Sequence, residues 1–405
     1  MYPALSLKST ALRKELRAYF ADIINEEDRR DLMDQTEGGP TFSRILRQMG
    51  RDGWLGLGWP TEYGGRGEDP EALYVFYDEV IRAGAPLSLV TLNTVAPALM
   101  KHGTREQKDF FLPKILAGDL IFAIGYTEPG AGTDLASLQT RAELDGDELV
   151  INGNKIFTSA AVYADWIWLA VRTDPEAPRH QGISVVLVPT SAPGFSVTEI
   201  HTVGGISTAA TYYENVRVPV TNLVGELNAG WTLITNQLNH ERVALAARGG
   251  IALELFAQVL EWTKRERVGD GRLFDVPWVR AKLAEVYALL GAADLINLRL
   301  VADVAANTLG GGDSAAAKIF GTEAVVSAYG MLQEILGARG LIRPGSEGAV
   351  LAGRVEALGR RAQNNTFGGG TNEVMREIVA AKCLGMTLAA RRRGDAAQPA
   401  RSGRN

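Results

Sequence analysis

Residues 122–140 read FAIGYTEPGAGTDLASLQT, a short apolar strand followed by a loop of small and hydroxyl-bearing residues. The backbone N–H groups of a glycine-rich loop can bind phosphate, and the hydroxyls of Thr127 and Thr133 add further donors. The stretch matches neither the P-loop pattern nor the glycine pattern of a Rossmann strand–helix turn. We therefore interpret it as a candidate anion-binding loop. An ordinary surface loop with turns around Asp134 is the alternative.

The sequence on either side of this loop divides into three regions of different hydrophobic period. Apolar residues at helical spacing predict an N-terminal helical domain over residues 1–118. Short β-branched and aromatic segments with Asp-Gly and Asn-Gly turn signals predict a middle, β-barrel-like domain over residues 119–227. The fold class is therefore α+β, with helices returning over residues 228–390 as a helical bundle. Helices are predicted over 231–266, 275–309, 314–337, 346–363 and 372–384, and a disordered tail over 391–405.

Composition narrows the classes of protein that the chain can belong to. Its 405 residues are 46% hydrophobic and 22% charged, which is typical of globular proteins, and the net charge of −5 gives no nucleic-acid footprint. No apolar run approaches the ~20 residues of a membrane span, and the N-terminus lacks the apolar region of a signal peptide. One cysteine, Cys383, leaves no internal disulfide, and four scattered histidines predict no metal site. We expect a cytoplasmic protein with neither a membrane nor a nucleic-acid partner.

The segment YTEPGAGTDLAS (126–137) resembles the first signature of the acyl-CoA dehydrogenases, a family of flavoproteins. Three other segments resemble that family in the family's order: LGLGWPTEYGG (55–65), NGNKIFTSAA (152–161) and GTNEVMREIVA (370–380). The resemblance spans nearly the whole chain. It implies the acyl-CoA dehydrogenase fold, with an N-terminal helical domain, a middle β domain and a C-terminal four-helix bundle.

The resemblance also implies that the chain binds FAD, and it assigns residues to the flavin ring. Thr127 is expected to hydrogen-bond the ring, and Tyr126 to lie beside it. Phe157 is expected to pack against the isoalloxazine and Ser159 to donate near N5, although an aromatic at position 157 could otherwise belong to the core. Glu128 is expected to be structural.

The phosphate side of the cofactor is expected to lie on two other segments. The resemblance places the pyrophosphate against Gly132 and Thr133. It places Thr371 and Glu373 against the dinucleotide at the N-terminus of the last helix, where free N–H groups and the helix dipole favour phosphate.

The glycine run in TFGGGTNEV (366–374) bears on the catalytic base. Most of the family has a catalytic glutamate two residues before the threonine that opens the last helix, and here that position is Gly369. A minority carries it in a Glu-Arg pair on the first long C-terminal helix, and LNHERV contains Glu241 and Arg242. We predict Glu241 as the base that removes the α-proton of an acyl-CoA thioester, and Arg242 as a substrate-binding residue. A solvated glutamate paired with an arginine is the alternative.

In the family, the backbone N–H at the glutamate position donates to the thioester carbonyl, and the resemblance implies that Gly369 keeps this donor. The space left by the absent side chain predicts a wide pocket for a bulky or α-branched acyl group.

Two segments that clasp a neighbouring subunit's FAD in the family have diverged in this chain. The usual Arg-x-x-Phe-Gly is RERVG, with Arg265 kept and Val268 replacing phenylalanine, and the usual Gln-x-x-Gly-Gly-x-Gly is EILGARG, with Glu334 and Ala338. A carboxylate facing a pyrophosphate is unfavourable. We therefore predict a second, non-identical acyl-CoA dehydrogenase subunit as partner and one FAD per heterodimer.

This arrangement resembles the α2β2 actinobacterial acyl-CoA dehydrogenases that degrade sterol side chains, and FGGGTNEVMRE and LITNQLNHERV look especially like one of their subunits. The implied substrate is a steroid acyl-CoA with a short side chain, and the implied electron acceptor is an electron-transfer flavoprotein. The alternatives are a non-catalytic structural subunit of such a complex and a related flavin-dependent oxidase or monooxygenase.

Overall fold

The N-terminal region of the protein is helical in the structure, a computed structural model that describes residues 4–34, 37–235 and 250–386. Its helices are α1 (Leu7–Ile23), α2 (Glu26–Asp34), α3 (Pro40–Arg51), α4 (Pro70–Ala83), α5 (Ala96–His102) and α6 (Arg105–Leu116). Two predicted site residues, Glu241 and Arg242, lie outside the described residues, as does the tail over 391–405.

Helix α4 has a capping residue at each end. Asp69 caps its start by accepting the Ala72 N–H at 2.8 Å, and Gly84 ends it with a left-handed φ of 66°. Two buried carboxylates on α4 then bind arginines of α1. Arg13 lies 2.8 Å from Asp78, and Arg17 lies 2.9 Å from Glu79. These ion pairs fix α1 against α4.

The middle region is an eight-stranded sheet whose order is β6-β7-β3-β2-β4-β5-β8, with β1 paired to β4. The strands are β1 (Phe122–Gly125), β2 (Arg141–Asp145), β3 (Glu148–Lys155), β4 (Trp166–Arg172), β5 (Ile183–Pro189), β6 (Phe195–His201), β7 (Ser207–Pro219) and β8 (Leu223–Val224). The Asp-Gly signal correctly predicts the β2–β3 hairpin, where Gly146 has a φ of 65°.

The C-terminal region returns to helices: α7 (Gly250–Arg265), α8 (Pro277–Ala305), α9 (Asp313–Leu336), α10 (Arg354–Ala362) and α11 (Asn372–Cys383). The helix predicted over 346–363 is shorter, because Leu351 and Ala352 take left-handed φ values of 51° and 55° and break it before α10. The turn predicted after α7 contains a small hairpin that pairs Arg267–Val268 with Gly271–Arg272.

Two apolar clusters hold these regions together. The first joins the N-terminal helices to the sheet and includes Phe122, Leu99 and Trp168, and the second packs α7, α8, α9 and α10 around residues such as Val259 and Leu332. The Tyr74 hydroxyl donates to Asp294 at 2.9 Å and so links α4 to α8. Across the described residues, no helix is long and apolar enough to span a bilayer.

Candidate active site

A buried ion pair anchors the loop that follows β1. Lys155, at the end of β3, is fully buried, and its ammonium lies 2.8 Å from Glu128 and 3.1 Å from the Tyr126 carbonyl. Glu128 also accepts the N–H groups of Gln139 and Thr140 at 2.7 and 2.8 Å. These contacts join Glu128, near the start of the loop, to Gln139 and Thr140 at its end. They agree with the structural role expected for Glu128.

The charge state of this pair follows from its surroundings. Burial lowers the pKa of the Lys155 ammonium to about 8, although the Glu128 carboxylate opposes the shift. Burial would raise the pKa of Glu128, but Lys155 and the hydrogen bonds from the 139–140 segment outweigh it and hold that pKa below its ordinary value. The two residues are therefore a charged pair inside the protein at neutral pH.

The outer side of the same loop presents donors without acceptors. Glu128 and Ala131 exchange backbone hydrogen bonds of 3.0 and 3.1 Å, which turns the chain back on itself. Gly132 and Thr133 follow as exposed residues, and no acceptor for their N–H groups or for the Thr133 hydroxyl is found among the described residues. A cluster of exposed N–H and O–H donors suits an anionic group such as a pyrophosphate.

The segment after β3 lies directly beside this loop, because the Ile156 N–H donates to the Thr127 carbonyl at 2.9 Å. Phe157 is 61% exposed and has a φ of 60°, a conformation that is rare for a bulky side chain. Val162 and Tyr163 are also exposed, so the segment offers an apolar surface next to Thr127. The exposure of Phe157 argues against a core position. Ser159 contacts the Thr208 hydroxyl at 3.1 Å.

Glu37, which sequence reasoning did not single out, holds the same segment from the N-terminal region. Its carboxylate accepts the Ala160 N–H at 2.5 Å, and Ala160 has a φ of 63°. Burial raises the pKa of Glu37 to about 7, and the Ala160 N–H and the charge of Arg361 oppose that shift. Gly38 is in contact with Tyr163, because a Cβ built on Gly38 would lie 2.1 Å from the tyrosine ring.

The glycine run lies in a loop between α10 and α11. Gly369 and Gly370 have φ values of 69° and 100°, which explains why glycine occupies both positions. No described atom lies within 4 Å of a Cβ built on Gly369, and its N–H has no acceptor within the described part of the chain. Thr371 caps α11 by accepting the Val374 N–H at 3.2 Å, and Glu373 is exposed in the first turn.

The two diverged segments, far apart in sequence, meet in the fold. Arg339 of EILGARG donates to Glu266 of RERVG at 2.7 Å. Glu334 lies 2.6 Å from the Lys282 ammonium, so its carboxylate has a partner within the chain. The two segments therefore form one surface. Arg265, the first residue of RERVG, is the last residue of α7.

A cavity of about 1180 Å³ opens between the N-terminal and C-terminal helices. Its walls come from α1, α2, α4, α7 and α10 and from Gly204 and Gly205 in the β6–β7 loop. Arg361, whose charge acts on Glu37, lies in this wall.

The structure thus brings most of the predicted residues into two groups. The first group lies on the adjoining loops that follow β1 and β3 and comprises Tyr126, Thr127, Gly132, Thr133, Phe157 and Ser159. The second group lies at the loop before α11 and comprises Gly369, Thr371 and Glu373. Donors for phosphates and an exposed apolar surface for a ring are the features that a flavin dinucleotide needs, so the residues fit FAD. Within the described residues, no cluster could hold a metal ion.

Three domain models of one family match the chain: the acyl-CoA dehydrogenase N-terminal domain at residues 8–119, the middle domain at 123–216 and the C-terminal domain at 228–384. The chain is 51% identical to acyl-CoA dehydrogenase FadE26 of Mycobacterium tuberculosis over 94% of this chain and 97% of that protein.

Solved structures give the same result. A structure described as the Tcur3481-Tcur3483 steroid ACAD is 53% identical with a TM-score of 0.93, over 96% of this chain and 100% of that one. The ChsE4-ChsE5 complex from Mycobacterium tuberculosis is 49% identical with a TM-score of 0.91, over the same shares of each chain. The predicted fold and the predicted resemblance to steroid acyl-CoA dehydrogenase subunits are confirmed. The chain belongs to the acyl-CoA dehydrogenase family, whose members are oxidoreductases acting on acyl-CoA.

Proposed function

We propose that the protein catalyses the FAD-dependent α,β-dehydrogenation of a bulky acyl-CoA, a steroid with a short side chain, to its 2-enoyl-CoA. The observation that carries this proposal is the geometry at Gly369. Among the described residues, the Gly369 N–H has no acceptor and no atom lies within 4 Å of a Cβ built on Gly369, the position where the family usually has a side chain. Such a position suits a thioester carbonyl and leaves room beside it.

The residues divide the chemistry between them. FAD, when bound, supplies the hydride acceptor for Cβ of the substrate. Glu241 removes the α-proton, and Arg242 beside it in sequence helps to bind the substrate. The Gly369 N–H donates to the thioester oxygen, where negative charge develops as the proton leaves.

Tyr126, Thr127, Phe157 and Ser159 would hold the flavin ring. Gly132 and Thr133, with Thr371 and Glu373 at the start of α11, would hold the remainder of the dinucleotide.

The substrate's size is inferred from space rather than from a specific contact. Among the described residues, no atom lies within 4 Å of a Cβ built on Gly369, which supports room for a branched acyl group there. The separate cavity of about 1180 Å³ between the N-terminal and C-terminal helices is large enough for a ligand of steroid size. The similarity to the Tcur3481-Tcur3483 steroid ACAD supports the same substrate class.

We further propose a non-identical acyl-CoA dehydrogenase subunit as partner, in an α2β2 assembly, and an electron-transfer flavoprotein as acceptor. Two related structures are named as pairs of different chains. In this chain, Val268, Glu334 and Ala338 stand where the family clasps a neighbour's cofactor. A subunit that holds one flavin ring but clasps a second cofactor poorly needs a partner whose clasp is intact.

The decisive test is Glu241→Gln in the protein co-purified with its partner. We expect unchanged flavin content and loss of flavin bleaching by a steroid acyl-CoA, by about 10²–10⁴-fold in rate. The same bleaching rate in wild type and variant would contradict the assignment of the base.

Wild-type protein with no flavin would favour a structural subunit, and peroxide formed in step with product would favour an oxidase. One FAD per copy of this chain, purified alone, would contradict the heteromer.

A further inference from the structure

Lys318 of α9 binds the glycine loop before α11 from outside the loop. The Lys318 ammonium donates to the Thr366 carbonyl at 3.0 Å, to the Gly370 carbonyl at 2.9 Å and to the Asn372 side-chain oxygen at 2.7 Å. An ammonium has three protons, so these three bonds use all of them. Lys318 therefore joins the two ends of the segment that contains Gly369.

This loop needs an external anchor because its own residues do little to fix it. Three consecutive glycines have more backbone freedom to lose than any other tripeptide. Within the described residues, the Phe367 and Gly368 N–H groups donate to Asn364, while those of Gly369 and Gly370 have no acceptor. The direction of the Gly369 N–H is therefore set by the positions of the two ends of the loop.

The third partner of Lys318 extends the anchor into α11. Asn372 is buried, and its amide donates to the Thr322 hydroxyl at 3.0 Å and to Glu323 at 3.1 Å. Glu323 in turn lies 2.6 Å from Arg376 of α11. The contacts between α9 and α11 thus differ in what they hold. Lys318 binds the loop carbonyls, whereas the Glu323–Arg376 pair binds the helix without touching the loop.

We propose that Lys318 is a positioning residue that aims the Gly369 N–H at the carbonyl oxygen of the acyl-CoA thioester. The inference rests on the function proposed above, in which that N–H polarises the thioester. Lys318 touches neither substrate nor cofactor. It acts by closing the loop from Thr366 to Gly370, so that a segment with three consecutive glycines presents its donor in one direction.

The test compares Lys318→Met with Arg376→Met in the complex with the partner subunit. K318M removes all three bonds and keeps the apolar stem, whereas R376M breaks a polar contact between α9 and α11 that does not involve the loop. Amide hydrogen exchange is followed in peptides that cover residues 364–371. We expect exchange there to be on the order of tenfold faster in K318M than in R376M. Equal exchange in the two variants would overturn the proposal.

A second readout links the anchor to the reaction. Loss of an aimed oxyanion donor lowers kcat by about 10²–10³-fold, and we expect K318M to fall in or just below that range with unchanged flavin content. We expect R376M to keep kcat close to wild type, and Lys318→Arg, which retains donors, to recover part of it. A loss of kcat no greater in K318M than in R376M would show Lys318 to be a stabilising residue only. If none of the acyl-CoAs bleaches the flavin of the wild-type protein, the proposed function fails. The exchange measurement still decides whether Lys318 fixes the loop.

Discussion

The Lys155 ammonium lies 2.8 Å from the Glu128 carboxylate, and both side chains are buried between the sheet and the loop that follows β1. Lys155 also binds the Tyr126 carbonyl, and the Ile156 N–H binds that of Thr127. One pair of charges thereby fixes the two segments proposed to hold the flavin ring. The Lys155–Glu128 pair thus holds the loops after β1 and β3 against each other.

Lys155→Met should be strongly destabilising. Removing one partner of a buried pair leaves the other charge without compensation, which costs about 3–5 kcal/mol in the free energy of unfolding. Urea denaturation of the purified protein measures this cost, and retained flavin measures the effect on the loop. We expect both to fall.

The matched control is Arg179→Met, which breaks the 2.7 Å pair with Asp134 on the exposed side of the same loop. Exposed pairs contribute little, so R179M should stay close to wild type in both measurements. Equal losses in the two variants would mean that burial does not set the strength of the Lys155 pair.

Because of backbone strain at position 157, a glycine variant should be more stable than an alanine variant, which is the reverse of the usual order of stability. The residue has a φ of 60°, where an L side chain costs about 1–2 kcal/mol relative to glycine. We expect Phe157→Gly to be more stable than Phe157→Ala in the flavin-free protein, by thermal or urea unfolding. Both variants should bind FAD more weakly, because both lose the ring.

Leu144 provides the comparison for that experiment. It is 64% exposed, close to the exposure of Phe157, but lies in strand β2 without a positive φ. Glycine in a strand is less stable than alanine, so Leu144→Gly should be the less stable of that pair. If the glycine variant were the less stable one at both positions, the result would argue against strain at Phe157.

The sequence predicted the fold well where the signals are local. The Asp-Gly turn, the periodic helices and the motif at 126–137 each depend on neighbouring residues, and the resemblance supplied the remainder. The anchors of the site were not predicted, because they act across the chain. Glu37 binds Ala160 from 123 positions away, and Lys318 binds Gly370 from 52 positions away. Neither lies in a motif, so only the fold shows what it contacts.

The break before α10 was missed for a related reason. Leu351 and Ala352 are ordinary helix formers, yet both take left-handed φ values there. Gly353 follows them, and a Cβ built on it would lie 2.5 Å from the Pro344 backbone. Tertiary packing against that proline, rather than local preference, sets this backbone.

The two glycines of the candidate oxyanion loop should respond differently to alanine. Among the described residues, nothing lies within 4 Å of a Cβ built on Gly369, so we expect Gly369→Ala to cost only the backbone strain of a positive φ, about 1–2 kcal/mol. At Gly370, φ is 100°, farther from the left-handed region that side chains tolerate, and a Cβ would also displace the flexible Met375 methyl group 2.5 Å away. Gly370→Ala should therefore be the more destabilising of the two by thermal unfolding. A larger loss for G369A would show that the space beside Gly369 is filled.

Glu37 should make the stability of the protein depend on pH, with a sign opposite to that of most carboxylates. Burial raises its folded-state pKa to about 7 from an ordinary value near 4.5, so the folded protein binds this proton more tightly than the unfolded chain does. The resulting stabilisation is full below about pH 4.5 and is lost as pH rises to about 7. Unfolding free energies at about pH 5 and about pH 8 should therefore differ more in wild type than in Glu37→Gln, which cannot ionise but still accepts the Ala160 N–H. Glu27→Gln, at an exposed position of α2, should leave the wild-type difference in place. If E37Q kept the full difference, the carboxyl at 37 would not be the group that titrates.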